Sequence, residues 1–322
     1  MNLQLGRAVN IVFQTTPYLV YRALVYGVIC AVLAVALLFL AIVGRIFGSG
    51  AAGVLFALLA VAGGFGVQLL REYVLYLLKA GHIALVTEIV TQGHLPAGIN
   101  QTQWAKERVM HYFKEISVLA LIDQLVKGVT QTLNRTLFDV MTFLPIPGLE
   151  GAAKIVQRIV DFSLTYIDES IIAYTFKTGN ENVFDAAKTA IVLYCQSWKG
   201  LLKNAVALTV LSYAFVAVTA LIFLIPLGAV ALMLPDSWSM AKFLLFVLAL
   251  FAGFSAKWIL FDPIACTATL LTFLSESEAL TPDPEWEARI ESVSAKFCEL
   301  KKKAIEKFRG ATSSGDAAPK PE

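Results

Sequence analysis

The chain has 322 residues and a formal net charge of +2; 57% of its residues are hydrophobic, only 16% are charged, and its mean hydropathy is +0.70. A soluble protein carries about 25% charged residues, so this composition excludes an ordinary water-soluble globule and predicts an all-α polytopic membrane protein. The small net charge leaves no electrostatic footprint for nucleic acid, and Cys30, Cys195, Cys266 and Cys298 are too scattered for a metal or redox motif.

Arg7 and Arg22 precede an uncharged run over residues 23–43. That run is too long for the apolar core of a cleaved signal and is long enough to cross a bilayer core. A second uncharged run covers residues 49–70 and is rich in glycine (Gly50, Gly53, Gly63, Gly64, Gly66), which permits close helix contact. Residues 1–96 thus read as a first transmembrane hairpin followed by an interfacial helix.

Residues 97–195 read as a central cytoplasmic or interfacial helical insertion. Trp104 opens an amphipathic helix whose stripe runs Val109, Phe113, Ile116, Leu119, Ile122 and Val126. Glu107, His111 and Glu115 share a face, but Lys106, Arg108 and Lys114 are interleaved with them, as on a solvated surface. "FLPIPGLEG" (143–151) forces a turn. Next comes "DFSLTYIDESIIAYTF" (161–176), apolar except for its acids. Each acid at a span centre costs about 2.5–3.5 kcal/mol, more than the neighbouring apolar residues return, so the stretch is not a solitary span. Asp161, Thr165 and Asp168 share one helix face with Glu169 beside it. In a homo-oligomer that face would make an acidic ring at a cation entrance; on a lone cytoplasmic helix it would be solvated. Gly179 closes this helix and Asn180 or Asn182 caps the next.

Residues 196–280 read as a second hairpin with its own interfacial helix. Its spans are 205–232 and about 239–260, with Trp238, Trp258, Lys203 and Lys257, and Trp286 beyond them, as interface anchors. "FDPI" predicts that the second span stops at Asp262, acting as N-cap with Pro263 at the first helical position. Residues 281–309 predict one amphipathic helix, capped by Asp283 before Pro284, with a stripe of Trp286, Ile290, Val293, Phe297, Leu300, Ala304 and Phe308. Its lysines Lys301, Lys302 and Lys303 would meet lipid headgroups, or its stripe would pack on another helix of the chain. Residues 310–322 read as a disordered tail.

The two hairpins match at an offset of 182 residues. "QTTPYLVYRALV" (14–25) lies on "QSWKGLLKNAVA" (196–207), and Trp104 lies on Trp286. The duplication predicts two transmembrane hairpins of one design. Basic residues flank the span ends next to the termini and the central region, which places those parts in the cytoplasm, as in a bacterial inner-membrane protein. No nucleophile elbow, phosphate loop or paired-histidine motif is present, so neither an enzyme nor a metal or cofactor site is expected.

"ESIIAYTFKTGNENVFDAAKTAIVLY" (169–194), the following hairpin, and "CTATLLTFLSESE" (266–278) resemble the C-terminal part of the choline-transporter-like family. The matching residues are Ile172, Ala173, Gly179, Asn180, Ala187, Lys188 and Ala190. The resemblance covers about a third of the chain and implies transport of organic cations or lipid precursors. The sequence therefore predicts an oligomeric channel or passive carrier in the lipid bilayer. The alternative is a non-transporting scaffold that organises lipids or partner proteins through its amphipathic helices.

Overall fold

The computed structural model describes residues 4–70, 76–113, 124–126, 128 and 166–315. Among these residues the secondary structure is helical, with no strand. The elements in chain order are α1 (Leu5–Gln14), α2 (Thr16–Phe47), α3 (Ser49–Leu70), α4 (Tyr76–Gln92), α5 (Gln101–Phe113), α6 (Ile167–Thr178), α7 (Val183–Gln196), α8 (Trp198–Met233), α9 (Ser239–Ala256), α10 (Asp262–Ser277), α11 (Pro284–Val293) and α12 (Ala295–Gly315). A 3₁₀ turn (Asp236–Trp238) precedes α9, and a π turn (Lys257–Phe261) joins α9 to α10. The chain divides into two compact units. One comprises Val12–Lys79 and Val210–Ala265; the other comprises Met1–Ile11, Ala80–Thr209 and Cys266–Glu322.

Among the described residues three helices are long and apolar enough to cross a membrane: Thr16–Phe47, Gly200–Met233 and the continuous run Asp236–Ser277, with mean hydropathies of 2.9, 2.6 and 2.1 over their best stretches. α3 carries a shorter apolar stretch, Gly53–Gly64. On α2, Leu24, Val28, Val32 and Val35 are exposed at spacings of three and four; on α8 so are Val218, Leu221, Ile222 and Ile225. Apolar faces this large are unfavourable in water and are compatible with a membrane location.

In the first unit α2 packs on α3 and on α9. Leu37, Leu40, Ala41 and Leu244 are its buried knot, with Leu55, Phe56 and Leu248 against them. The glycines of α3 permit close contact, but among the described residues a Cβ at Gly50, Gly53, Gly63, Gly64 or Gly66 would meet nothing within 4 Å. A close contact lies instead at Gly253 of α9, where a Cβ would stand 2.9 Å from Ala220 Cα on α8. Thr219 Oγ1 donates to the Gly253 carbonyl at 3.2 Å in the same crossing. Small residues let backbones approach only where a partner helix faces them, and the composition of α3 alone carries no information about its partner.

The expected stop at Asp262 is also replaced by another arrangement. Asp262 has helical dihedrals (φ −61, ψ −41) and its N–H bonds to the Lys257 carbonyl five residues back. The helix widens by one residue and continues. In this wide register the next donor would be Pro263, which has no N–H. The Trp258 carbonyl is thereby left without a helical partner, and Arg22 Nη1 of α2 donates to it at 3.1 Å. Lys257 and Asp262 bridge the turn at 2.8 Å, and Tyr26 stacks on Trp258 with centroids 5.4 Å apart.

In the second unit α7 is the central helix, packed by α6, α11 and α12. Ala186, Ala187 and Ala190 to Cys195 are all buried, so its small residues accept neighbours on every side. Gly179 takes the left-handed conformation (φ 66) and closes α6. Asn182 caps α7 through Asp185 N while its own amide donates to the Ala304 carbonyl at 2.8 Å. Asp283 caps α11 through Glu285 N, with Pro284 at the first position. The single helix expected from Trp286 to Phe308 is two helices: Ser294 is extended (φ −130, ψ 103) and its hydroxyl accepts from Phe297 N at 3.3 Å, an N-cap that restarts the chain as α12. Helix α12 runs through Gly310 to Gly315.

Candidate functional site

The acidic face predicted from sequence is described only in part. Asp161 and Thr165 lie outside the described residues. Asp168 and Glu169 occupy the first turn of α6, where the positive end of the helix dipole favours a carboxylate. They do not share an environment: Asp168 is half-buried, and Glu169 is 0% exposed. The solvated face therefore does not hold for Glu169.

The packing of α6 explains this burial. Tyr174 lies 6.3 Å from Phe273 of α10, and Phe176 meets Tyr112 and Phe113 of α5 edge-on at 5.6 and 5.9 Å. Ile167, Ile171, Ile172 and Ala173 of the same helix are buried as well. The hydroxyls nearby are turned inward on their own helix: Ser170 donates to the Tyr166 carbonyl at 2.8 Å and Thr175 to that of Ile171 at 3.0 Å. Burial pushes the Tyr174 phenol above its ordinary pKa, and the nearby charge of Asp185 adds to the effect. At the other end of α6, Lys177 donates to the Leu274 carbonyl at 3.3 Å and pairs with Glu278 at 2.6 Å, fixing α6 to the end of α10.

Comparisons of this chain with protein-family models, curated proteins and solved structures find no match. Its function is therefore argued from geometry.

The predicted anchors have varied surroundings. Trp238 is partly exposed beneath the Arg45 guanidinium, 6.0 Å from its ring. Trp258 is packed by Tyr26, Phe251 and Phe254, Lys257 is tied to Asp262, and Lys203 is exposed. Trp286 lies under Arg289 at 5.6 Å. Glu107 and His111 are exposed, Glu115 lies outside the described residues, and no cluster of three metal-ligating side chains occurs among the described ones.

The stripe of the C-terminal helices is occupied by the chain itself. Ile290, Phe297, Leu300 and Ala304 are buried, and both α11 and α12 pack on α7. Lys301 binds Glu287 at 2.8 Å and also Glu291. These hydrogen bonds push its pKa up to about 12. Lys307 donates to the Glu181 carbonyl, and Lys296 pairs with Glu299.

Sequence reasoning missed a polar seam between the start of α8 and the end of α10. Ser197, Gly200 and Asn204 lie at spacings of three and four, as do Ala268, Thr272 and Glu276 at spacings of four. This periodicity was the available signal; that the two rows face each other is a tertiary fact. Asn204 Nδ2 donates to the Ala268 carbonyl at 3.3 Å and to Thr272 Oγ1 at 3.1 Å.

Proposed function

We propose that this chain is an integral membrane transport-type protein, an oligomeric channel or passive carrier for small cations or organic solutes. The observation that carries the reading is Glu169, a carboxylate with no exposed surface. A carboxylate held beside the cytoplasmic mouth of a pathway favours a cation there. The resemblance of residues 169–194 and 266–278 to the choline-transporter-like family supports organic cations as solutes. The scaffold reading is weaker, because the apolar stripe of α11 and α12 is used against α7.

Two duplicated hairpins are part of the same reading. In support, α1 ends at Gln14 and α2 begins at Thr16, while α7 ends at Gln196 and α8 begins at Trp198, again 182 residues on. Thr15 and Ser197, the residues at these breaks, are both buried. The termini and the central region belong in the cytoplasm of a bacterial inner membrane, by the basic flanks.

Purified protein in liposomes tests the function. Sodium, potassium and choline fluxes are measured for the wild type, Glu169→Gln and Asp168→Asn. Wild-type flux that drops at least tenfold in Glu169→Gln supports the proposal; no wild-type flux, or flux that Glu169→Gln leaves intact, overturns it.

A further inference from the structure

Two buried side chains at the seam between α8 and α10 each keep an oxygen without a partner. Ser197 and Asn204 are each 5% exposed, and among the described residues neither Ser197 Oγ nor Asn204 Oδ1 has a hydrogen-bond partner. The Asn204 amide cannot be turned to relieve this. Its nitrogen faces the Ala268 carbonyl, which only accepts, and the Thr272 hydroxyl already gives its proton to that carbonyl at 3.0 Å. Native proteins rarely leave buried acceptors unpaired, and each one points to an unseen water or ion.

Between these two oxygens, on the same face of α8, stands Gly200. A Cβ there would fall 1.7 Å from Glu276 Oε1 and 2.6 Å from Oε2, so the carboxylate lies directly against the helix backbone. The missing side chain is what admits it. The charge of Lys203, which is exposed, acts on Glu276. No ion pair between the two occurs among the described residues. The Glu276 carboxylate, the Asn204 amide oxygen and the Ser197 hydroxyl are hard oxygen ligands that together carry a single negative charge. Such a set suits a small monovalent cation better than a divalent ion, which gathers several carboxylates.

We propose that this seam binds a sodium-class cation between Glu276 and the amide oxygen of Asn204, with Gly200 as the opening that makes room for the carboxylate. The inference does not depend on Glu169 or on transport, so its test reads binding alone. The full chain in detergent is heated in NaCl, KCl or N-methylglucamine chloride at constant ionic strength. The expected result is a saturable rise in Tm with sodium, on the order of 5 °C at a hundredfold excess over Kd. N-methylglucamine gives none.

Glu276→Gln and Gly200→Ala should each abolish the sodium-dependent rise. Gly200→Ala also guards against misfolding, because alanine favours the helix and the atom it displaces is the end of a flexible side chain. It should fold with a Tm in N-methylglucamine no lower than that of the wild type. A wild-type Tm indifferent to the cation, as a bridging water alone would give, overturns the proposal. So does a sodium response that survives in both variants.

Discussion

The bond from Arg22 to the Trp258 carbonyl gives a sharp test of how the α9–α10 helix passes its proline. Pro263 removes the donor that the wide turn would direct to that carbonyl, and Arg22 supplies one at 3.1 Å. In a low-dielectric setting a buried acceptor left unpaired costs about 1–3 kcal/mol, and a bond from a charged guanidinium lies at the strong end of that range. Arg22→Ala should therefore destabilise the protein by about 2 kcal/mol. Pro263→Ala restores an N–H to the helix, so the carbonyl regains a backbone partner. In that background Arg22→Ala should cost less than about 1 kcal/mol, leaving a coupling of about 1 kcal/mol or more in the double-mutant cycle. The assay is unfolding in detergent micelles followed by helical circular dichroism for the four proteins. Equal costs of Arg22→Ala with and without Pro263 would refute the reasoning, and the guanidinium would then act through packing or charge alone.

Three further outcomes follow from the packing. Gly253→Leu should destabilise by about 1–3 kcal/mol, because its Cβ would meet the Ala220 backbone at 2.9 Å, whereas Gly63→Leu on α3, where a Cβ meets nothing within 4 Å, should not destabilise the protein in micelles. Ser294→Ala should cost about 1 kcal/mol through loss of the α12 cap, read as a lowered Tm. Burial pushes the Cys195 thiol up to about 12, so at pH 8 it should resist maleimide in the folded protein and label only on unfolding. The same raised values set an alkaline limit. The Cys195 thiol is held protonated by the fold and the Lys301 ammonium is held charged by Glu287 and Glu291. Both contributions are complete below the ordinary thiol and lysine pKa values and fade as pH rises towards about 12. Tm measured from pH 8 to 11 should fall, and Lys301→Met should flatten the upper part of that fall.

Much of the secondary structure was legible in the residues. Asn182 before Asp185, Asp283 before Pro284 and Gly179 after Thr178 are local signals, and each acts within four residues along the chain. The breaks that were misplaced depended on partners far away. "FDPI" carries the local signature of a helix start, yet Asp262 stays helical because a guanidinium 236 residues away satisfies the carbonyl that the proline orphans. Ser294 breaks a periodic apolar stripe that is otherwise continuous, and periodicity does not register a one-residue cap.

The sequence by itself determined the class of molecule, since length, charge depletion and uncharged runs set how much apolar surface must leave water. It also carried the expectation that residues 161–176 do not insert alone, because the cost of an acid in hydrocarbon is a property of the side chain. Only the tertiary structure decided that Glu169 is buried while its neighbour Asp168 is half-exposed, that α12 packs on α7, and that Glu276 rests against Gly200. Helical spacing says which residues share a face; what covers that face is decided by packing between segments up to a hundred residues apart or more, where no local pattern reaches.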